Sequence, residues 1–432
     1  MPKKEVSLDV TNVENFIFDM SRCVKCKGCT WVDHIYMPGV KYSTRCPSAT
    51  RYLFDSYGAY GKMRIGLALV EGRLDYSDEL LKILYACTLC GACDVGCKRN
   101  LDLEIELTLE ALRIKAVKDG RGPMPEHKRV AQNISEKHNS LGAAHKNRRA
   151  WLHGIKPSAK ADVLYFVGCS ASYSHPEIAE ATARILEASG TPFVLLPDEW
   201  CCGNMLYSVG MIDEARELAR RNAEAVRQTG AKTLLLSCAE GYRMWKVDYP
   251  KILGISTADL GFRVVHLAEL VDETVKKGTL KLAHRIDLRL TYHDPCSMSR
   301  LSEPWAPWAG ERGLWGVVDP PLQRRRGTHG IYQPPRDVLN SIPGIQLVEM
   351  PRMRENAFCC GAGRGTKEAF PDFAAWAADQ RLAEVGEVGA EALVSACPWC
   401  KGNFAQAVSR NQASLQVFDF SELVLSAIGG EG

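Results

Sequence analysis

Asp162-Val163-Leu164-Tyr165-Phe166-Val167-Gly168-Cys169 is a short apolar β-type run that ends on a cysteine, and Leu288-Arg289-Leu290-Thr291-Tyr292-His293-Asp294-Pro295-Cys296 repeats it downstream. Two further elements recur in the same order. Glu199-Trp200-Cys201-Cys202-Gly203 matches Ala357-Phe358-Cys359-Cys360-Gly361, and Thr233-Leu234-Leu235-Leu236-Ser237-Cys238 matches Ala392-Leu393-Val394-Ser395-Ala396-Cys397. Each copy carries a helical pattern between triplet and final run, at 212–229 and 373–387. Nearly all-apolar strands alternating with helices predict a parallel sheet covered on both faces. Cysteines at the strand ends then fall at the carboxyl edge, where open α/β sheets bind ligands. The C-terminal two-thirds therefore reads as two pseudo-symmetric α/β (Rossmann-like) half-domains, 161–285 and 286–432, facing each other across their cofactors.

The remaining cysteines lie upstream as Cys23-x2-Cys26-x2-Cys29 with Cys46-Pro47 behind it, then Cys87-x2-Cys90-x2-Cys93-x3-Cys97. A cubane [4Fe-4S] cluster needs four thiolates, and C-x2-C-x2-C supplies three from one loop. In two-cluster ferredoxins the fourth comes from the partner motif. On that rule Cys97 joins Cys23, Cys26 and Cys29, while Cys46 joins Cys87, Cys90 and Cys93. Lys98 after Cys97 departs from the ferredoxin pattern, which has proline there. All-cysteine zinc sites use pairs rather than triplets, so iron-sulfur is the better reading. Two clusters in one small helical domain, 1–120, would act as a wire. Helical patterns run over 60–84 and 101–118; Gly120 to Pro125 should end the second, and the polar stretch 121–160 reads as a linker with a solvated basic run.

At 432 residues, two or three domains are expected, and 46% apolar residues suffice for their cores. A formal charge of +3 gives no reason to invoke nucleic acid or a membrane field. The start, Met1-Pro2-Lys3-Lys4-Glu5-Val6, has no signal-peptide stretch, and no run approaches the about 18 apolar residues of a membrane span. Seventeen cysteines at two-residue spacings in a long chain without export signal argue for metal ligation in the cytoplasm rather than disulfides.

On these motifs the chain resembles the catalytic and cluster subunits of heterodisulfide reductase, fused as in the single-chain form. The same layout occurs in iron-sulfur subunits of glycolate, lactate and anaerobic glycerol-3-phosphate dehydrogenases and of the ATP-independent benzoyl-CoA reductase complex. The resemblance runs from about Cys23 to Cys400. It implies that Cys296, Cys359, Cys360, Cys397 and Cys400 ligate one non-cubane [4Fe-4S] cluster. Cys169, Cys201, Cys202 and Cys238 match the first copy of that site, but Gly241 stands where the fifth cysteine belongs, leaving a further cluster, zinc or nothing. The implied function is electron transfer within a multi-subunit complex that includes a flavin-bearing partner, suited to anaerobic metabolism. The alternative is a thiol-disulfide reductase acting at the second site.

Three local features remain. His293 and Asp294 could supply a proton or a hydrogen bond to the second site, or simply turn the strand end. Gly361-Ala362-Gly363-Arg364-Gly365 lacks the dinucleotide pattern, and Cys359-Cys360 accounts for its glycines better. Finally, 31 residues separate Cys169 from Cys201 but 62 separate Cys296 from Cys359. The extra length, 302–328, carries Trp305, Trp308, Trp315 and Arg324-Arg325-Arg326; it reads equally as a partner-docking loop and as a loop packed on its own domain.

Overall fold

The computed structural model describes residues 9–33, 35, 37, 39–98, 101–313, 317–323 and 325–428. The N-terminal part is helical. Where one helical pattern was expected over 60–84, the chain forms Ala59–Val70 and Asp78–Tyr85. Gly72, at φ +68°, ends the first in the left-handed conformation, and Ser77 starts the second by accepting the Leu80 amide at 3.2 Å. Ala92–Lys98 follows, and then Ile105–Lys118, a helix buried nearly all round.

The C-terminal part holds two parallel four-stranded sheets. The first contains β1 (Val163–Phe166), β2 (Phe193–Val194), β3 (Thr233–Leu236) and β4 (Arg263–His266) in the order β2-β1-β3-β4. The chain then enters β5 (Leu288–His293), a short antiparallel ribbon of β6 (Glu311–Arg312) and β7 (Val318–Asp319), β8 (Ile345–Leu347), β9 (Ala392–Ser395) and β10 (Gln416–Asp419). The second sheet runs β8-β5-β9-β10, the same order as the first. Helices Ile212–Gln228 and Pro371–Glu387 occupy equivalent places before β3 and β9. The expected parallel α/β repeat is therefore present in mixed company with a helical N-terminal part. Among the described residues no helix is long and apolar enough to cross a membrane.

A second stretch differs from expectation, and the insertion takes one of its two readings at Trp305. The proposed linker 121–160 contains the helix Pro125–Lys137, whose His127, Val130 and Ile134 are buried, and His127 Nε2 donates to the Gly365 carbonyl at 2.8 Å. Asn139 is fully buried and ties its loop with four backbone hydrogen bonds. The polar majority hid an apolar stripe at helical spacing. In the insertion, Trp305 packs back on its own chain: its amide donates to Thr257 Oγ1 at 2.8 Å, and Lys251 and Arg325 face its ring. Trp308 donates to the Pro320 carbonyl at 2.9 Å, while Trp315 and Arg324 lie outside the described residues.

A buried ionic network joins the three parts. Glu106 and Glu110, on the helix Ile105–Lys118, meet Arg243 at 2.8 and 2.7 Å. Arg243 also pairs with Asp248 at 3.0 Å, and Lys251 bridges Glu110 and Asp248 at 2.7 and 2.8 Å. From the second sheet's side, Arg364 reaches Glu106 at 3.3 Å. Three acids and three bases, each no more than 3% exposed, thus balance. Burial alone would raise the Glu106 carboxyl, but Arg243, Lys251 and Arg364 outweigh it and hold it at about 2 rather than 4.5. Its contribution to stability is therefore complete above about pH 4.5 and fades as the pH falls toward 2. Glu106→Gln takes one carboxylate from Arg243 and Arg364, leaving a net buried positive charge, and should cost about 3 kcal/mol at neutral pH in denaturant unfolding. It should also flatten the acid limb of the stability profile; an unchanged limb would remove the network from its assigned part.

Candidate iron-sulfur sites

Cys23, Cys26 and Cys29 lie on a loop that takes left-handed turns at Lys25 (φ 56°) and Lys27 (φ 63°). The helix Ala92–Lys98 presses on this loop so closely that a Cβ on Gly96 would stand 2.2 Å from the Gly28 carbonyl oxygen. That approach brings Cys97 into the electrostatic range of Cys23, Cys26 and Cys29. A second cavity is lined by Cys46, Cys87, Cys90 and Cys93 together with Ser48 and Lys62. The eight N-terminal cysteines thus lie in two neighbourhoods, Cys97 beside Cys23, Cys26 and Cys29, and Cys46 beside Cys87, Cys90 and Cys93.

In the second α/β half, Cys359 lies within hydrogen-bonding reach of Cys296, Cys360 and, across from the N-terminal part, Cys90. Cys360 and Cys400 are 3.2 Å apart, and His293 is grouped with both. Cys397 touches Cys400 and also Cys238 of the first half. In the first half, Cys169, Cys201 and Cys202 form a contiguous row. With Cys238, Glu240 and Gly241 they line one cavity, whose far wall includes Trp399 from between Cys397 and Cys400.

The two Cys-Cys-Gly triplets share their local geometry. Gly203 and Gly361 sit at φ +79° and +88°, and each donates its amide to the first sulfur of its triplet at 3.4 Å. Asn222 holds the Cys201 carbonyl at 2.9 Å, as Asn403 holds that of Cys360 at 2.8 Å. A Cβ on Gly361 would fall 2.8 Å from the Ala374 carbonyl oxygen, and one on Gly363 would fall 1.9 Å from Glu240 Oε1. Gly361 thus serves a close approach within the second half and Gly363 one between the halves.

Burial pushes the Cys29 thiol up to about 11 and the Cys46 and Cys97 thiols to about 12. Gathered thiolates are costly for the protein alone, and soft metals are what such donor sets stabilise. The donor chemistry therefore fits iron-sulfur clusters. Charge compensation supports the fit. Lys62, buried and lowered mainly by desolvation, faces Cys87 and Cys46. Arg113 donates to the Cys87 carbonyl at 2.6 Å, and Arg300 donates to the Cys90 and Ala357 carbonyls, each at 2.6 Å. Burial, reinforced by the nearby thiols Cys397, Cys296 and Cys360, pushes the Glu240 carboxyl well up.

Sequence reading named the cysteines and His293 but not Lys62, Arg113, Arg300 or Glu240. Only Lys62, a lone charge on an otherwise buried helical face, left a readable trace. Asp294, weighed as a proton donor, instead forms a two-pronged pair with Arg336 at 2.7 and 2.9 Å and accepts the Arg354 amide at 2.7 Å. It anchors the strand end.

This combination defines an iron-sulfur oxidoreductase subunit with a ferredoxin-like N-terminal domain and two cysteine-rich regions. The family profile described as a 4Fe-4S dicluster domain matches residues 19–101, and that described as a cysteine-rich domain matches 163–244 and 321–405. The chain belongs to the family of heterodisulfide reductase iron-sulfur subunits. It is 33% identical over 440 residues to a subunit of the Dihydromethanophenazine:CoB–CoM heterodisulfide reductase of Methanosarcina acetivorans, covering 99% of both chains. The Methanosarcina mazei counterpart is 34% identical over 442 residues, with 100% of both covered. One subunit of the fumarate reductase (CoM/CoB) of Methanothermobacter marburgensis is 27% identical, over 74% of this chain and 56% of that one. Among solved structures, a hypothetical protein from Helicobacter pylori matches with a TM-score of 0.51 at 12% identity, covering 88% of this chain and 69% of that one; this likeness concerns the fold.

Lys62→Met removes a buried cation beside Cys46 and Cys87. At roughly 5 Å and an effective dielectric of about 20, a unit charge is about 3 kcal/mol, so the redox midpoint of that centre should fall on the order of 100 mV. Potentiometric electron paramagnetic resonance reads the shift directly; a midpoint that stays or rises would dissociate Lys62 from the centre.

Proposed function

We propose that this chain relays single electrons through two cubane [4Fe-4S] clusters, held by Cys23, Cys26, Cys29 and Cys97 and by Cys87, Cys90, Cys93 and Cys46, to a non-cubane [4Fe-4S] cluster held by Cys296, Cys359, Cys360, Cys397 and Cys400. The observation that carries this reading is the contact of Cys90 with Cys359. It makes the edge of one thiol set continuous with the edge of the next, across the boundary between the N-terminal part and the second α/β half. Arg300 braces both sides of that boundary through the Cys90 and Ala357 carbonyls. Residues 1–120, 161–285 and 286–432 are the working units in this reading, and 121–160 packs between them. The first site, with Cys169, Cys201, Cys202 and Cys238, takes a further cluster or zinc on four thiolates.

The chain would act in the cytoplasm as one subunit of a larger complex, with electrons exchanged through a flavin-bearing partner. Relatives named as subunits of heterodisulfide and fumarate reductases support that setting. The heterodisulfide reductase relatives also favour a second reading, in which the Cys296 to Cys400 set cleaves a disulfide itself. His293, against Cys360, and Glu240, between the two α/β halves, are protonatable groups beside that set.

Electron paramagnetic resonance with iron and sulfide analysis on the anaerobically purified chain tests the relay. Two cubane signals and a third, distinct signal are expected, and Cys359→Ser should lose the third alone. A colourless, iron-free protein would overturn the assignment. Reduced viologen with small disulfides separates the readings, since turnover by the isolated chain belongs to the reductase and its absence to the relay.

A further inference from the structure

Of the seventeen cysteines, Cys26 is the one that is exposed. Around it the surface is unusually apolar: Val24 is 65% exposed, Leu53 83% and Phe54 74%. The two loops carrying these residues are held side by side by the Lys27–Asp55 ion pair at 3.1 Å and by Tyr60, which donates to Asp55 at 2.6 Å. Lys25, Lys27 and Leu53 all adopt left-handed backbone, at φ 56°, 63° and 64°. Non-glycine residues take that conformation at a cost, and here it fixes the two loop tips outward. The local charge is positive, since exposed Arg22, Lys25 and Lys27 outweigh Asp55, the carboxylate that pairs with Lys27.

Exposed apolar side chains ringed by charge mark contact surfaces. Here the patch surrounds the one thiol of the chain that is exposed rather than buried or half-buried, where an external centre could come close to the relay. A lipid surface offers no electron, and an acidic face complements the lysines and arginine. We infer that the face formed by Val24, Lys25, Cys26, Leu53 and Phe54 docks a one-electron carrier protein whose redox group is rimmed by acidic residues. The inference rests on the relay reading above and adds to it the port and the partner's chemistry. In the transfer, one electron leaves the reduced carrier and enters the centre held by Cys23, Cys26, Cys29 and Cys97; no bond forms or breaks.

The test uses the full anaerobically purified chain and, as probe, a small acidic ferredoxin reduced beforehand, with stopped-flow bleaching as the readout. The reduction rate should fall about tenfold between low salt and about 0.5 M salt. Leu53→Ser with Phe54→Ser should slow it about tenfold at low salt by removing apolar contact, while titanium(III) citrate, which needs no docking face, reduces variant and parent at equal rates. Equal rates with the ferredoxin for variant and parent, or a rate indifferent to salt, would overturn the port. Missing cubane signals before mixing would instead overturn the relay reading itself, so the two failures are distinct.

Discussion

The structure depends on bringing buried thiols from three parts of the chain to one junction. A thiolate away from water is unfavourable unless cations or metal compensate it, and a row of them multiplies the difficulty. The chain answers with Lys62, Arg113, Arg300 and Arg364 placed around the junction. Those cations are themselves buried, and Glu106, Glu110 and Asp248 in turn balance Arg243, Lys251 and Arg364. Each layer of charge is thus explained by the layer inside it. An ionic core of this size is poor evidence for stability by itself, but it locks one relative arrangement of the parts, because any other leaves charges unpaired.

The internal repeat supplies symmetry, and the departures from it supply direction. Both triplets turn through a left-handed glycine, and both are held by an asparagine from a neighbouring helix. Yet the first half has Gly241 where the second has Cys400, and Cys238 leans across the boundary onto Cys397. The second half touches the N-terminal part through sulfur, at Cys359 and Cys90. A symmetric scaffold therefore carries an asymmetric arrangement of donors.

Much of this was legible because cysteine spacing and strand periodicity are local signals. The expected grouping of Cys97 with Cys23 and of Cys46 with Cys87 came from the exchange of remote cysteines in two-cluster ferredoxins, and in the fold each lies near its expected companions. The strands leading toward Cys169 and Cys296 declared themselves by their largely apolar runs. What stayed hidden was non-local. Nothing near Arg300 in sequence announces Cys90, more than two hundred residues away, and nothing near Gly363 announces Glu240. The segment around His127 failed differently: its polar residues are many and its buried ones few, so composition outweighed the stripe that decides its fold. For Trp305 the sequence left docking and packing evenly weighed, because its partner Thr257 belongs to the other half.

The helix Ile105–Lys118 has one more consequence, for biogenesis. It leaves the ribosome well before Arg243 and Arg364, the residues that satisfy its buried carboxylates. Until both have been synthesised, the nascent N-terminal part lacks its lid, and Cys90 is not yet covered by Arg300 and Cys359. During that interval Cys90 stands open on the side that Arg300 and Cys359 later cover, whereas Cys87 and Cys93 stay half-buried in the finished fold. The last stretches to be made thus close over the first, and the distance along the chain between a carboxylate and its arginine sets how late that closure comes.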